Sequence, residues 1–433
     1  MPGLLRSRNA GDAREHATCS AFDAMSKVAF WSLWCFILVL PWDVFTQLPV
    51  VGSIPRLVGL VASAVGVLYI VARRRVRPLS WFHLFAVLFV LWAGASSFWS
   101  IDPEATRTVF LTYVQLLVLA WLIWEVAWSP DRQRALLQAY VLGAGAAAVL
   151  VISNCLLGVA FRPDVVTGRF AALNQNPNEL GLTLALGIPM AWYVSLSQPD
   201  RRIAWMWQVY LPLAITAILL TASRGSVISL FVALIIVPAT QQRLRLRTTA
   251  ALYALAVASL MLASDFVPEE SLERIKSAPR DIASTYFGDP RPGDAIRNAI
   301  WITGLEVAQE HPLAGVGAGA FEAAVEPALH NEFSSHQVYM SILVEDGIVG
   351  FMLFLAMIAA TLTSMRHSPP LQRRFSIVLL LTLAVGSWSI SWDHRKQFWF
   401  VLGVLAAQVA QRPPRQPVSP PRESRMRLPA RNS

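Results

Sequence analysis

Long runs of apolar residues, separated by short polar segments, recur along almost the whole chain. Most runs approach the roughly 20 residues that a helix needs to cross the hydrocarbon of a bilayer. The pattern therefore predicts an all-α polytopic membrane protein with about 12 transmembrane helices. The predicted spans are Val28–Phe45, Leu57–Ala72, Trp81–Phe98, Val109–Trp128, Ala135–Phe161, Leu180–Leu196, Ile203–Leu220, Val227–Pro238, Thr249–Ala263, Gly347–Thr363, Phe375–Ser391 and Phe398–Ala410.

Composition agrees, because 55% of the residues are hydrophobic and 15% are charged, whereas soluble domains carry roughly 25% charged residues. This excludes a cytosolic α/β enzyme and a disordered scaffold. A net charge of +9 would suggest a nucleic-acid partner in a soluble protein, but here the arginines fall in alternate loops. By the positive-inside rule these loops and both termini are cytoplasmic, and the expected partners are membrane lipids, not nucleic acid. The basic loops contain Arg73, Arg74, Arg75 and Arg77; Arg132 and Arg134; Arg201 and Arg202; Arg243, Arg245 and Arg247; and Arg366, Arg373 and Arg374.

The predicted topology leaves one long extracytoplasmic segment, which is too long to be a simple connector. Within it, Asp294–Glu310 places Ile296, Ile300, Thr303 and Val307 on one stripe and predicts an amphipathic helix on or over the membrane surface. The predicted organisation is a cytoplasmic tail (1–27), transmembrane helices 1 to 9 (28–263), the long loop with its amphipathic helices (264–335), transmembrane helices 10 to 12 (336–410) and a basic disordered cytoplasmic tail (411–433).

Three arginines on the predicted outer face depart from the positive-inside pattern. Arg169 lies in GRFAALNQNPNELG, Arg224 in the short turn TASRGS, and Arg297 in the amphipathic segment. A guanidinium stays charged and pairs bidentately with phosphate, so several around one cavity would suit a diphosphate. The alternative for each is an interfacial arginine that snorkels or forms a structural ion pair. Arg224 fits that alternative least well, since its short turn keeps it near the bilayer.

His336 opens the segment HQVYMSILVEDGIVG, which leads into the tenth predicted span. On a continuous helix, His336, Met340, Leu343, Gly347 and Gly350 would share one stripe. The glycines would let a neighbouring helix approach closely, and the imidazole would lie near the membrane interface. A histidine there can act as a general base, and the alternative is an ordinary polar anchor.

Two other segments of the predicted outer face carry notable residues. GVGAG at Gly315–Gly319 has no preceding strand, so we expect a turn that brings backbone close to a ligand or to facing helices and not a nucleotide loop. Asp393, His394, Arg395 and Lys396 form a charge cluster whose members pair with each other or contact acceptor phosphates, and no catalytic role is assigned to them.

In these segments the chain resembles the bacterial O-antigen ligases. His336-Gln337, nine residues and then Gly347-x-x-Gly350 is similar to their signature His-(Asn/Ser/Gln)-x9-Gly-x-x-(Gly/Thr/Tyr). HPLAGVGAGAF, SRG at Ser223–Gly225 and GRFAALNQNPNELG resemble the wider superfamily, which includes O-antigen polymerases and O-oligosaccharyltransferases. A second pair, His330-Asn331, is followed after nine residues by Ser341 instead of glycine, so we assign the motif to His336.

The resemblance implies an inverting glycosyltransferase of the membrane-embedded GT-C kind, in the bacterial inner membrane with its active site on the periplasmic face. The implied donor is O-antigen polysaccharide on undecaprenyl diphosphate, and the implied acceptor is a sugar hydroxyl of the lipid A core. His336 would be the general base. Arg169, Arg224 and Arg297 would hold the leaving diphosphate in place of a metal, Arg224 counting as catalytic too, so no metal or cofactor is expected.

Three other interpretations stay open. Asp102 and Glu104 could hold a divalent cation, although the Asp-Pro pair also predicts a cap for the helix that begins near Ala105. The closest functional alternative is an O-antigen polymerase, which joins two lipid-linked glycans. A polysaccharide-lipid transporter is a third, although transporters usually place polar groups at the membrane midplane and here these groups cluster on one face.

Overall fold

The computed structural model describes residues 22–42, 53–159, 169–172, 175–240 and 292–409. All regular elements in these ranges are helical. In chain order they are α1 (Phe22–Trp42), α2 (Ile54–Arg73), α3 (Trp81–Ala95), α4 (Pro103–Val126), α5 (Pro130–Leu156), α6 (Pro177–Leu196), α7 (Arg201–Gln208), α8 (Tyr210–Leu220), α9 (Arg224–Leu234), α10 (Ile236–Thr240), α11 (Pro292–Glu310), α12 (Phe321–Leu329), α13 (Val338–Ser364), α14 (Pro370–Gly386) and α15 (Lys396–Val409).

Within the described ranges, eight helical segments are long and apolar enough to cross a membrane. They are α1 to α6, the combined segment Arg201–Leu220 and α13; Arg224–Thr240 is a shorter apolar helix. The chain is thus an all-α polytopic membrane protein, as its apolar pattern predicted. Outside the described residues lie the predicted span Thr249–Ala263, the long loop up to residue 291, most of the predicted N-terminal tail and all of the predicted C-terminal tail.

Several helices begin before the predicted span boundaries, α4 for example at Pro103 and not at Val109, and two of these starts bear on the predicted organisation. α1 begins at Phe22 and not at Val28, because the polar residues before Val28 continue its helical backbone. α13 begins at Val338 and not at Gly347, because the apolar segment before the glycine is also helical. The predicted span Trp81–Phe98 agrees at both ends with α3 and the short 3-10 turn that follows it.

Several helices begin with a polar cap followed by proline. Asp102, Ser129 and Asn176 each accept a backbone N–H from the first turn of the helix that follows, and each precedes a proline. Such caps satisfy backbone donors that have no partner inside the helix. The Asp102 carboxylate accepts the Ala105 N–H at 3.0 Å, so it is a helix cap, one of the two roles that the sequence left open.

α6 lies at the centre of the bundle. Its most apolar window is 83% buried, against 33% to 56% in the seven other candidate spans. It packs against α5, α8, α9 and α14. A Cβ added at Gly181 would lie 2.1 Å from the Ser226 hydroxyl oxygen, so this glycine allows the first turns of α6 and α9 to meet.

Antiparallel neighbours give the bundle two ends. The end where α5 finishes and α6 begins also holds the first turns of α9, α13 and α15, and we call it the site end. At the opposite end Arg134, in the first turns of α5, donates to the Ser197 carbonyl at the end of α6 (3.1 Å).

α11 confirms the predicted helix in the long loop, and part of its predicted apolar stripe contacts protein. Ile300, Ala308 and Val307 pack in a small core with α12 and the start of α13. The opposite face exposes Ile302 and Leu305. Ile300 and Val307 of the predicted stripe therefore hold α11 at the site end, whereas Ile296 is 49% exposed. The position of this helix on or over the membrane surface stays a prediction.

Candidate functional site

Arg224 is the first residue of α9 and follows an unusually tight turn. α8 ends at Leu220, and Ala222 adopts a left-handed φ of 49° before Ser223 caps α9. The Ser223 hydroxyl accepts the Ser226 N–H at 3.3 Å. Arg224 is partly buried there. A helix N-terminus offers unpaired backbone N–H groups and a positive dipole, so this position favours an anion before the guanidinium charge is added.

Arg169 lies against the same turn. Its Nε donates to the Thr221 carbonyl at 3.0 Å, and one terminal nitrogen donates to the Asn178 side-chain oxygen at 2.8 Å. The Phe170 N–H donates to the Leu220 carbonyl at 3.0 Å. The guanidinium is thus oriented by the end of α8 and by the first turn of α6.

Two of the quoted sequence segments, GRFAALNQNPNELG and TASRGS, therefore form one cluster. The Ser226 hydroxyl donates to the Asn178 carbonyl at 3.2 Å, which joins SRGS to NPNELG, while Arg169 joins GRF to both. We call this group the arginine cluster: Arg169, Asn178, Arg224 and Ser226. Asn178 was not singled out from the sequence, although it lies in a quoted motif.

His336 also lies at the site end, but outside any helix. It adopts a left-handed φ of 50°, and Gln337 follows it as the N-cap of α13. The Ser334 hydroxyl is 3.4 Å from each imidazole nitrogen. The Ser335 carbonyl accepts the Trp301 indole N–H at 3.0 Å, which ties this segment to α11.

Arg297, on α11, acts electrostatically on His336. Burial and the nearby Arg297 charge lower the pKa of His336 below its ordinary value, because both disfavour the imidazolium. His336 is therefore neutral at neutral pH and able to accept a proton. The structure thus couples electrostatically two residues that are 39 positions apart in the sequence.

The predicted continuous stripe from His336 to Gly350 was wrong. His336 precedes the helix, and α13 is broken at Gly347, whose φ is 65° and ψ is −169°. Residues with a Cβ hardly ever adopt this conformation. The helical spacing therefore does not carry through Gly347, and the two arms of α13 are 338–346 and 348–364.

The glycine-rich segment predicted to approach a ligand or facing helices lies in this break. A Cβ on Gly347 would lie 2.4 Å from the Leu313 carbonyl oxygen, and one on Gly315 would lie 2.3 Å from the Glu345 carbonyl oxygen. Backbone groups left unpaired by the break bond to this segment. The bonds are Val316 N–H to Val344 O (3.0 Å), Gly317 N–H to Glu345 O (2.8 Å), Ile348 N–H to Pro312 O (2.9 Å) and Val349 N–H to Leu313 O (3.3 Å).

Gly350 has the helix-packing contact that was predicted for both glycines. A Cβ there would lie 3.1 Å from a Trp92 ring carbon on α3 and 2.2 Å from the Asp346 Cβ. The Trp92 indole N–H donates to the Asp346 carbonyl at 2.9 Å. Gly350 therefore lets α3 approach α13, whereas Gly347 accommodates the 312–317 segment.

Residues 387–395, between α14 and α15, contact both the segment around His336 and the first turn of α9 with Arg224. The Ser387 carbonyl accepts the Val338 N–H at 3.1 Å, and the Ser391 and Ser335 hydroxyls are 2.8 Å apart. A Cβ on Gly225 would lie 2.3 Å from the Ser389 hydroxyl oxygen. The segment therefore lies beside His336 and beside Arg224. Sequence reasoning noted only the charge cluster at its end.

An open apolar cleft of about 520 Å³ runs down from this region between α9, α13 and α14. Gly225 and Ser389 lie at its polar end, next to Arg224. Its lining residues are Gly225, Ile228, Tyr339, Phe351, Ala384, Val385, Trp388 and Ser389. A hydrocarbon chain would suit this lining, because burying apolar surface is favourable and the cleft offers few polar partners.

The second histidine pair has a different place. His330 is exposed and ends α12 in a left-handed conformation, with its N–H donated to the Glu326 carbonyl. It is a C-cap, which agrees with the assignment of the motif to His336.

In a comparison with protein families, a model described as O-antigen ligase matches residues 209–355. This region of the chain is therefore similar to the O-antigen ligase/polymerase family. The matched region runs from the start of α8 to the second arm of α13, and it includes Arg224, Arg297, His336, Gly347 and Gly350. No curated protein gives a significant match to the sequence. The match indicates similarity to membrane enzymes of the glycosyltransferase kind.

Proposed function

We propose that the protein is an O-antigen ligase, a metal-independent inverting glycosyltransferase of the GT-C kind. It transfers O-antigen polysaccharide from undecaprenyl diphosphate to a sugar hydroxyl of the lipid A core. One observation carries the proposal: a neutral histidine beside Arg297 and the arginine cluster lie at the same end of the bundle, joined by residues 387–395. Together they offer a proton acceptor and several cations, as the transfer needs.

The apolar cleft supports a lipid-linked donor. Its polar end adjoins Arg224 at the N-terminus of α9, and its body is lined by apolar side chains. In our proposal the polyprenyl chain lies in the cleft and its diphosphate lies at Arg224. Arg169 and Arg297 supply further positive charge to the diphosphate, as bidentate partners of phosphate oxygens.

The proposed reaction is a single displacement at the anomeric carbon. The acceptor hydroxyl oxygen forms the new bond to that carbon from the face opposite the diphosphate, while the bond to the diphosphate oxygen breaks, and the configuration inverts. His336 accepts the hydroxyl proton. The arginines stabilise the negative charge that develops on the departing undecaprenyl diphosphate, usually a large contribution to catalysis.

We place the protein in the bacterial inner membrane with the site end facing the periplasm and both termini in the cytoplasm. The arginine-rich connections support this orientation: Arg73–Arg77, Arg132–Arg134 and Arg201–Arg202 all lie at the opposite end. Clusters of arginine in short loops favour the cytoplasmic side.

A reconstituted transfer assay tests the proposal. Purified protein in nanodiscs receives undecaprenyl-diphosphate-linked O-antigen and rough lipopolysaccharide, and the products are separated by size. A ligase makes smooth lipopolysaccharide, and His336→Ala lowers that rate at least about 100-fold. Lengthening of the lipid-linked glycan without acceptor would instead indicate a polymerase. Full activity in a folded His336→Ala protein would overturn the assigned role of this histidine.

A further inference from the structure

Arg395 and Glu179 form an ion pair beside the arginine cluster. A terminal nitrogen of Arg395, which directly precedes α15, lies 2.7 Å from a carboxylate oxygen of Glu179 in the first turn of α6. Glu179 follows Asn178, the residue whose side-chain oxygen accepts from Arg169. The ion pair thus reaches the turn that orients a proposed phosphate-binding arginine.

The Arg395 end of this pair is fixed in the core of the bundle. The neighbouring Asp393 is buried and accepts the Tyr113 hydroxyl at 2.5 Å. Its carbonyl also accepts the Trp399 indole N–H at 2.8 Å. These contacts join residues 391–395 to α4 and α15, so Arg395 extends from a rigid point toward α6.

The same segment reaches the histidine half of the site. Ser391 lies four positions before Arg395, and its hydroxyl is 2.8 Å from that of Ser335, the residue before His336. The short segment 391–395 therefore contacts Ser335, which precedes the proposed base, and Glu179, which follows Asn178. Movement of this segment would change the spacing between His336 and Arg169.

The energetics favour a geometric role over a stabilising one. The Arg395 and Glu179 side chains are 29% and 25% exposed, and ion pairs that water can reach contribute little net stability. Catalytic groups, in contrast, are sensitive to displacements of about 1 Å. An ion pair in this place can therefore alter ligand binding strongly while it alters unfolding little.

We propose that Arg395 and Glu179 are positioning residues for the donor site. The pair holds the first turn of α6 against residues 387–395, so that Asn178 presents the Arg169 guanidinium to the donor diphosphate in register with His336. This inference rests on the proposed function, because it takes the anionic group bound there to be the diphosphate of a lipid-linked glycan.

Steady-state transfer with purified protein in nanodiscs tests this inference. Glu179→Gln and Arg395→Gln should each raise KM for the lipid-linked donor about 5- to 10-fold, the range expected for residues coupled through one network. The acceptor KM should change less than about twofold, whereas kcat should fall, because the spacing between His336 and Arg169 changes. Arg395→Lys should retain most of the donor affinity. The exchanged double variant Glu179→Arg with Arg395→Glu should recover a donor KM within about threefold of the original.

The matched control is Asp131→Asn, which removes the Asp131–Arg134 ion pair at the opposite end and should leave the donor KM unchanged. An unchanged donor KM in both single variants would overturn the inference, as would an exchanged double variant that stays folded but recovers nothing. If the unsubstituted protein transfers no glycan at all, the proposed function fails instead. Measuring transfer by the unsubstituted protein first therefore distinguishes failure of the proposed function from failure of the positioning role.

Discussion

Replacing Gly347 by alanine tests the broken helix on which the site end depends. Gly347 separates the two arms of α13, and the 312–317 segment lies in the gap with four backbone hydrogen bonds to the residues around it. The alanine adds one methyl group at this point and changes no charge. Its effect therefore reports on backbone conformation and close packing alone.

The magnitude follows from two features of this position. A φ of 65° with a ψ of −169° costs about 1–3 kcal/mol for a residue with a Cβ. The new Cβ would also lie 2.4 Å from the Leu313 oxygen and 2.6 Å from the Gly315 nitrogen, so the segment must shift. Weakening two of its hydrogen bonds costs about 1 kcal/mol each. We expect the free energy of unfolding to fall by roughly 3–5 kcal/mol in total.

Thermal unfolding in detergent, followed by tryptophan fluorescence, measures this effect. Gly145→Ala is the matched control, because a Cβ there meets only the Tyr210 ring at 3.7 Å and alanine favours a helix by up to about 1 kcal/mol. Gly347→Ala should lower Tm by several degrees, while Gly145→Ala should leave it unchanged or raised. Equal Tm values for Gly347→Ala and the original protein would refute the argument that a residue with a Cβ is strained at this helix break.

Three further predictions concern the site and its orientation. Because Arg297 contributes to the lowered pKa of His336, Arg297→Gln should move the acidic limb of the transfer rate to higher pH, and a limb that stays in place would contradict their electrostatic contact. Arg224→Lys keeps the charge but loses the planar fork, so donor binding measured by titration with undecaprenyl diphosphate should weaken about tenfold, and unchanged binding would argue against a bidentate contact. In a cysteine-free background, Glu104→Cys at the site end should react with a membrane-impermeant maleimide from the periplasm, whereas Arg201→Cys at the opposite end should not, and the reverse pattern would invert the topology.

The sequence predicted local properties better than the contacts that assemble the site. Apolar runs located the described spans because burial in lipid imposes a length and a composition on each helix separately. The helix break could not be predicted in this way, since Gly347 owes its conformation to Leu313 and Gly315, more than 30 positions earlier. Arg395 and Glu179 are 216 positions apart, and nothing local to either residue indicates the other. The arginines were recognisable only because their charge departs from the topology rule.

The effect of the Arg297 charge on the pKa of His336 has a further consequence for the order of events in the proposed reaction. The positive charge of Arg297 lowers the pKa of His336 in the unliganded protein, after the larger effect of burial. A diphosphate bound at Arg297 would offset that charge, and nearby negative charge raises the pKa of a histidine. His336 should therefore become a stronger base only once the donor is bound, which would favour proton removal from an acceptor when a glycan is ready to be transferred. The acidic limb of kcat, which reports the complex, should accordingly lie at higher pH than that of kcat/KM for the donor, which reports the free enzyme. Coincident limbs would show that the donor diphosphate does not act on His336 through Arg297.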